Sequence, residues 1–325
     1  MKPRISVVIP TYRRPQLLRR CLEVLLLQDA DPAGIEIVVV DDGRSDEVQS
    51  LIEKLAAGQR NAATLRYLQP PAGKRGPAAA RNAGWQAAAG EIIAFTDDDT
   101  IPMPHWLSAG LAAMQPAVAA AWGRVRVPLP DKPTDAERNI AGLDGAEFVT
   151  ANCFVRRSVL AELGGFDERF RRAWREDSDL YFSLLEGGWT VVSAPAAIVV
   201  HPARQTPATH CLRLHGNLFF DALLYKKHRQ LYREKIAAWP PLDYYLTVLL
   251  LLFAVAALAG GQFAGAGLAA VGWLALTLRL AWRRQQGLSP AWRERAGIVL
   301  TSALIPPLAV FWRLAGAWHF RVGFA

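Results

Sequence analysis

Three consecutive aspartates, Asp97, Asp98 and Asp99, are the residues whose chemistry stands out first in this chain. They come one residue after the apolar run Ile92–Phe95, which has the length and composition of a buried strand. Adjacent carboxylates repel one another and lose solvation when they are buried, unless a cation compensates them. Mg²⁺ and Mn²⁺ prefer oxygen ligands and often share them with substrate phosphates. The triplet therefore indicates either a divalent-metal site or an acidic turn that caps the next helix.

Alternating strands and helices must position this triplet. Apolar runs predict strands at residues 5–9, 35–40, 65–68 and 92–95. Helical patterns separate them at residues 15–28, 45–57 and 77–89. Continuous apolar strands separated by helices indicate a mostly parallel sheet with helices on both faces. In such a sheet the turns after the strands meet at one edge, where ligands bind. We therefore expect Pro10, Thr11 and Asp42 to lie near the triplet.

The turn after the first predicted strand lacks the Gly-x-Gly-x-x-Gly pattern of dinucleotide-binding domains, and residues 11–15 contain no glycine. A diphosphate at this edge must then be held by a metal and by side chains. The same absence argues against a nucleotidyltransferase, which would use a glycine- and lysine-rich phosphate loop here.

The last third of the chain is much more apolar than the rest, and no charged residue occurs between Asp243 and Arg279. Apolar segments lie at about 242–259, 263–281 and 296–312. Because about 20 apolar residues cross a bilayer, the first two segments are predicted to be transmembrane helices. The third contains Pro306 and Pro307, so two to three crossings are expected. The alternative is a buried helical hairpin in a soluble domain.

Basic residues flank these segments. They are Lys226, Lys227, Arg229, Arg233 and Lys235 before the first, and Arg279, Arg283, Arg284, Arg293 and Arg295 between the second and third. The positive-inside rule then predicts a multi-pass protein of the plasma (inner) membrane with a cytoplasmic N-terminal domain. The net charge of +8 fits this topology and an anionic membrane surface, and no nucleic-acid motif is present. The predicted regions are a domain at 1–205, a basic linker at 206–240 and a membrane region at 241–325.

Six short motifs together resemble the family 2 glycosyltransferases, which have the GT-A fold. In order, the motifs are Ser6–Tyr12, Ile37–Gly43, Gly76–Gly84, Phe95–Asp99, Gly164–Phe170 and Glu176–Leu180. Each motif is weak alone, but six in the family's order and spacing form a specific match over about residues 4–202. The resemblance implies a Rossmann-like GT-A domain that transfers a sugar from a nucleotide diphosphate donor with inversion.

The resemblance also implies how the donor is held. Pro10, Thr11 and Asp42 would line the pocket for the nucleotide base. Arg81 would help to close that pocket, and Asp98 would meet the ribose. Alternatives remain for two residues of these motifs, because Arg81 suits a helix surface and Asp41 suits a turn cap.

A metal site of Asp97, Asp99 and His201 is implied in the same way. The two aspartates form the Asp-x-Asp pair, which would bind Mn²⁺ or Mg²⁺ against the donor diphosphate. His201 ends the apolar run 196–200, and in some family members a histidine at this interval completes the metal site. A structural role at a strand end is the alternative for this histidine.

The resemblance makes Asp177 the general base that accepts the proton of the acceptor hydroxyl. Glu176 would position or tune it, and Asp179 is interpreted as structural. A cluster that only stabilises the helix dipole is the alternative. Trp174 is predicted either to stack on an acceptor sugar or to lie in the core.

The Gln-x-x-Arg-Trp motif of processive synthases is not found, which favours the addition of a single sugar. The expected substrates are a UDP- or GDP-linked sugar and a lipid-linked or saccharide acceptor, in cell-envelope or exopolysaccharide synthesis. A catalytically silent membrane scaffold of a polysaccharide assembly complex is the alternative function.

Overall fold

A computed structural model describes residues 3–31, 34–58, 63–204, 206–207, 209–288 and 291–324. Two units are distinguished in it. The first comprises residues 1–128 and 142–202, and the second comprises residues 129–141 and 203–325. The division after residue 202 lies close to the predicted boundary at 205. The short segment 129–141 belongs to the second unit, whereas the predicted regions placed it in the first domain.

The first half of the sheet is parallel. Its strands are β1 (Ile5–Thr11), β2 (Ile35–Asp41), β3 (Thr64–Leu68) and β4 (Ile92–Phe95). Their order is β3-β2-β1-β4, and every neighbouring pair among them is parallel. The register sets Thr11 beside Asp41 at the end where both strands stop. The continuous apolar runs of the sequence thus form the buried centre of the sheet, as predicted.

The second half of the sheet is mixed, and four of the seven neighbouring strand pairs described for the whole sheet are parallel, in agreement with the predicted mostly parallel sheet. Its strands are β5 (Ile101–Pro102), β6 (Ala120–Arg126), β7 (Cys153–Arg156) and β8 (Val191–Val200). The order continues from β4 as β7-β6-β8-β5. Strand β7 is antiparallel to both β4 and β6, whereas β6 and β8 are parallel.

Helices of the first unit cover the sheet. They are α1 (Pro15–Leu25), α2 (Asp46–Gly58), α3 (Pro77–Ala87), α4 (Trp106–Ala113), α6 (Arg157–Leu163) and α7 (Glu176–Glu186). Helix α3 packs against β1 and β2. A Cβ atom at Gly84 would lie 2.4 Å from Cγ1 of Val8, so only glycine permits this close approach. The approach brings the start of α3 to the edge of the sheet where the predicted site lies.

The second unit is helical. Its helices are α5 (Asp135–Ile140), α8 (His210–Leu214), α9 (Leu218–Lys227), α10 (Arg229–Lys235), α11 (Leu242–Ala259), α12 (Phe263–Gln285) and α13 (Trp292–Phe320). Three of these, α11, α12 and α13, are long and apolar enough to span a membrane, with mean hydropathies of 2.1, 1.5 and 1.7. Helix α13 is longer than the apolar stretch that predicted it, because the helix continues through more polar turns at both ends.

Candidate active site

The central aspartate of the triplet points away from its two neighbours. Asp98 is 4% exposed, and its carboxylate accepts a 2.7 Å hydrogen bond from the Thr11 hydroxyl. Arg14 lies 3.4 Å from its other oxygen. Strands β1 and β4 are neighbours in the sheet, and their adjacent ends therefore bring Thr11 and Asp98 together. The predicted grouping of these two residues is present, and Arg14 is an addition that the sequence did not indicate.

The two outer aspartates lie together with a histidine. Asp97, Asp99 and His201 each offer one ligand atom, and these atoms all lie within 4.8 Å of one another. His201 stands at the end of β8, where its backbone N–H donates to the Arg126 carbonyl at 2.8 Å. Its Nε2 is 3.5 Å from Asp99 Oδ1. The turn after β4 and the end of β8 thus assemble the predicted metal ligands from distant parts of the sequence.

The chemistry of this cluster fits a divalent cation. Two carboxylates supply hard oxygen ligands, and an imidazole is a good ligand for Mn²⁺. Within the described residues, Nδ1 of His201 is buried and makes no hydrogen bond. The side chain of Asp99 is only 7% exposed, so a cation there would relieve the cost of burying its charge.

Arg81 joins the metal cluster to the acidic start of α7. It is 2% exposed, and its two terminal nitrogens donate to different carboxylates. Nη2 donates to Asp97 at 2.8 Å, and Nη1 donates to Glu176 at 2.9 Å. A buried charge is tolerated when it is paired, and here one guanidinium compensates two carboxylates. Both terminal nitrogens of Arg81 therefore donate to carboxylates of the protein. The contact between Arg81 and the nucleotide, which the resemblance implies, stays a prediction.

The start of α7 carries two carboxylates with perturbed acidity. Burial and the neighbouring Asp177 raise the pKa of Glu176 against the opposing effect of Arg81. Burial also raises the pKa of Asp177, although the Ser178 backbone N–H donates to it at 2.7 Å. Asp177 is half-buried, whereas Glu176 is 2% exposed. Asp177 is thus the carboxylate that can meet a substrate, and Glu176 is held behind it.

The turn after β2 separates a structural aspartate from a candidate binding one. Asp41 accepts hydrogen bonds from the backbone N–H groups of Gly43 and Ser45, so the turn-capping interpretation is confirmed. Asp42 accepts from the Gly76 backbone N–H at 2.9 Å. Gly76 has a φ of +93°, and a Cβ there would lie 2.8 Å from a carbonyl oxygen. Asp42 therefore lies at the start of α3.

Asn82 is an organising residue that sequence reasoning missed. Its amide forms two hydrogen bonds with the backbone of Phe166, one donated at 2.8 Å and one accepted at 2.9 Å. It also accepts from Trp85 Nε1 at 2.9 Å. The turn it holds includes Gly165, whose φ is +75°. The sequence feature that could have identified Asn82 is its place directly after Arg81 in one of the six motifs.

Two further predicted residues lie close to α7. Asp179 is 3% exposed, and its backbone N–H donates to the Arg175 carbonyl, as suits a structural role. Trp174 is half-buried, with the Arg175 guanidinium carbon 4.6 Å from its ring centroid. An acceptor contact for Trp174 stays a prediction.

Two family models match the chain. One, described as "Glycosyl transferase family 2", matches residues 6–164, which include the aspartate triplet. The other, described as "Glycosyl transferase family group 2", matches residues 139–314 and so covers more than half of the chain. The second match includes the acidic start of α7 and extends into the apolar helices.

Curated relatives carry names of the same kind. The chain is 27% identical to the glycosyltransferase AglE of Haloferax volcanii over 214 residues, which is 62% of this chain and 68% of that protein. It is 34% identical over 97 residues to the GalNAc(5)-diNAcBac-PP-undecaprenol beta-1,3-glucosyltransferase of Campylobacter jejuni. That match covers 30% of either chain, so the chain aligns with less than a third of this second relative.

A solved structure shares the fold. The mannosyltransferase PcManGT from Pyrobaculum calidifontis, determined in complex with GDP-Man and Mn²⁺, superposes with a TM-score of 0.59. The superposition covers 97% of this chain and 88% of that one, at 22% identity. The likeness confirms the predicted GT-A-like α/β core followed by apolar helices.

Proposed function

The chain belongs to the family 2 glycosyltransferases, and we propose that it transfers one sugar from a nucleotide diphosphate sugar to a hydroxyl group of a lipid-linked or membrane-proximal acceptor. The transfer is inverting and depends on Mn²⁺ or Mg²⁺. One observation carries this proposal. Arg81 connects Asp97 of the candidate metal cluster to Glu176, the neighbour of the candidate base Asp177. Donor-binding and proton-accepting groups are therefore parts of one network.

The donor is held at the edge of the sheet where β1, β2 and β4 end. Asp97, Asp99 and His201 are the residues that would hold the cation. A bound divalent cation supplies Lewis-acid stabilisation to the departing diphosphate. Asp98 receives the ribose, and its orientation is fixed by the hydroxyl of Thr11.

The rest of the donor site is built on the turns beside β1 and β2. Pro10, Thr11 and Asp42 line the pocket for the base. The Pyrobaculum mannosyltransferase was solved with GDP-Man and Mn²⁺, which supports a nucleotide sugar and this kind of cation.

The acceptor is activated at the start of α7. Asp177 accepts the proton of the acceptor hydroxyl while the oxygen attacks the anomeric carbon and the bond to the diphosphate breaks. Its raised pKa makes it a stronger base than an ordinary aspartate, provided that it is ionised. Glu176 and Arg81 position this base. Attack on the face opposite the leaving group inverts the anomeric configuration.

The acceptor class follows from the apolar helices. Helices α11 and α12 anchor the protein in a membrane, with the catalytic domain on the cytoplasmic side of the plasma (inner) membrane. The Campylobacter relative is named for a saccharide linked to undecaprenol, which supports an acceptor carried by a lipid. The absence of a Gln-x-x-Arg-Trp motif favours one addition per acceptor.

The test is the release of free nucleotide by the full chain in detergent, with Mn²⁺, membrane lipids and a panel of UDP- and GDP-sugars. We expect release with at least one donor, its loss in D177N, and its retention in E162Q. Glu162 is an exposed carboxylate on α6 and serves as the matched control. Full activity of D177N would overturn the assignment of the base. No release with any donor would favour the silent scaffold instead.

A further inference from the structure

We propose that α13 lies along the cytoplasmic surface of the membrane instead of crossing it, with its apolar face in the cytoplasmic leaflet. By length and composition alone α13 is a third candidate span of 29 residues. Its packing, however, connects its middle to one end of the α11–α12 hairpin and its last turns to α9. This end, formed by the start of α11 and the end of α12, is called the open end below. The proposal goes beyond sugar transfer and does not depend on it.

The middle of α13 lies against the open end of the hairpin. Arg284, near the end of α12, donates hydrogen bonds of 2.9 Å to the hydroxyls of Thr301 and Ser302. Pro306 lines one cleft with polar and charged residues of the open end, which are Asp243, Tyr244, Thr247, Arg279 and Arg283. A span that began at Trp292 would carry Pro306 about 21 Å into the bilayer, at 1.5 Å per residue. Instead, Pro306 lies beside the charged ends of the two other helices.

The last turns of α13 lie against α9. A Cβ at Gly316 would lie 2.3 Å from the Phe219 carbonyl oxygen, so the two helices are in close contact there. The rings of Phe219 and Phe320 are 5.1 Å apart, and Lys226 donates to the Phe320 carbonyl at 2.8 Å. The C-terminal end of α13 is thus on the same side of the membrane as α9.

The segment that precedes α11 in the second unit is too polar to cross a bilayer. Helices α8 and α9 are joined by a 3₁₀ turn at His215–Asn217 into one helical run over 210–227, but this run carries Arg213, Asp221, Lys226 and Lys227, and charged side chains are rare within spans. Helix α10 has 7 residues, fewer than the roughly 20 that a span needs. Helix α9 is therefore on the side where α11 begins. Because α11 and α12 form a hairpin, α12 returns to that side, and α13 begins there. Both ends of α13 are then on one side, and one continuous helix cannot turn back on itself. It must lie along the membrane.

The occupant of the outer face of α13 is lipid. Five large apolar side chains on this face are 44% to 88% exposed: Leu300, Leu304, Phe311, Leu314 and Trp318. At 100° per residue they fall within an arc of about 80°. Ile305, Ala309 and Gly316 are buried on the opposite side. Exposed Arg293 and Arg295 at the start of α13 suit the anionic headgroups beside which an interfacial helix lies.

The test is the sidedness of single added cysteines in the full chain. Three exposed positions are used: Q262C at the tip of the hairpin, Q286C after α12 and G323C after α13. Spheroplasts are treated with a membrane-impermeant maleimide before or after lysis, and the unmodified chain gives the background from the three native cysteines. We expect G323C to label in the same preparations as Q286C and in the opposite ones to Q262C. Labelling of G323C together with Q262C would overturn the proposal.

A second measurement reports the location of the C-terminal end even if the G323C variant fails to insert into the membrane. Green fluorescent protein fused after the last residue fluoresces when it is cytoplasmic, and alkaline phosphatase fused there is active when it is external. The proposal expects the fluorescent fusion to be bright and the phosphatase fusion to be inactive, and the reverse result contradicts it. These readouts are independent of transferase activity, so their failure and that of the proposed function are distinguishable.

Discussion

The guanidinium of Arg81 lies 2.9 Å from the carboxylate of Glu176, and both side chains are 3% exposed. The same guanidinium reaches Asp97 at 2.8 Å. Two acidic clusters that are about 80 residues apart in sequence are thereby held at a fixed separation. In the proposed reaction this separation sets the distance between the leaving diphosphate and the attacking hydroxyl.

Replacing Arg81 by methionine should destabilise the catalytic unit. Loss of one partner from a buried ion pair typically costs about 3–5 kcal/mol, because the other charge stays buried without compensation. We expect R81M to lower the melting temperature of the detergent-solubilised protein and to abolish transfer. The double variant R81M/E176Q should be more stable than R81M, since it also removes one stranded charge. Equal melting temperatures for R81M and the double variant would contradict the pairing.

The stability of the protein should depend on Glu176 with a definite sign. Burial raises the pKa of Glu176 above its ordinary value of 4.5, so its contribution to stability is present at low pH and is lost as pH rises through the raised pKa. A glutamine at this position does not titrate. The melting temperature of E176Q relative to the unmodified chain should therefore increase between pH 5 and pH 8, measured by differential scanning fluorimetry. A constant difference across this range would show that Glu176 titrates normally.

The rate of transfer should depend on pH through Asp177. A general base must be ionised, and burial raises the pKa of Asp177 above that of an ordinary aspartate. As the pH is lowered, kcat/KM should therefore begin to fall at a higher pH than it would if the base had the pKa of an ordinary aspartate. Arg175 and Arg81 oppose this effect of burial. R175Q should therefore raise the pKa of Asp177 further and shift the acidic limb of the pH profile to higher pH. The control E162Q should leave the limb in place.

Removal of divalent metal should abolish transfer. After treatment with EDTA, added Mn²⁺ is expected to restore activity to the unmodified chain. Loss of a ligand should weaken a metal site at least as much as loss of a group that only supports a ligand, which costs about 10–100-fold in affinity at other metal sites. We therefore expect H201A to need roughly tenfold or more Mn²⁺ for half-maximal activity. D99N should be affected more, because it removes a charged ligand. An unchanged Mn²⁺ requirement in both variants would remove Asp99 and His201 from the metal site.

Asn82 should matter for stability without touching a substrate. N82A would leave the backbone N–H and carbonyl of Phe166 and the indole N–H of Trp85 without their present partner. Each unsatisfied buried group costs about 1–3 kcal/mol. We expect a clear loss of thermal stability in N82A. N82D should also be destabilised, because its carboxylate would face the Phe166 carbonyl and the Glu168 carboxylate, to which the amide of Asn82 donates. An unchanged melting temperature in both variants would contradict this role.

Local patterns were enough to predict the strands that carry the site. The runs behind β1, β2 and β4 are continuous and apolar, and a buried parallel strand needs little other information. The grouping of Thr11 with Asp98 also followed, because neighbouring parallel strands end at the same edge. The metal cluster could be predicted only with the help of the family resemblance, since nothing near His201 in the sequence points to Asp97 and Asp99.

Partners chosen by packing could not be predicted. The family resemblance assigned Arg81 to the nucleotide pocket, and the alternative was an arginine on a helix surface. Its two carboxylates come from the turn after β4 and from α7, and only the packed fold shows that they converge. The antiparallel direction of β7 within this mostly parallel sheet could not be predicted for a similar reason. A four-residue strand such as β7 has the same composition in either direction.

The membership of residues 129–141 in the helical unit has a practical consequence for producing the enzyme. Asp135 in this segment lies 2.6 Å from Arg284 of α12, so the segment depends on the apolar helices for an ionic partner. Cutting the gene after residue 202 to obtain a water-soluble catalytic fragment would leave this segment without that partner. A fragment with residues 129–141 replaced by a short polar loop is the better starting point for crystallisation without detergent.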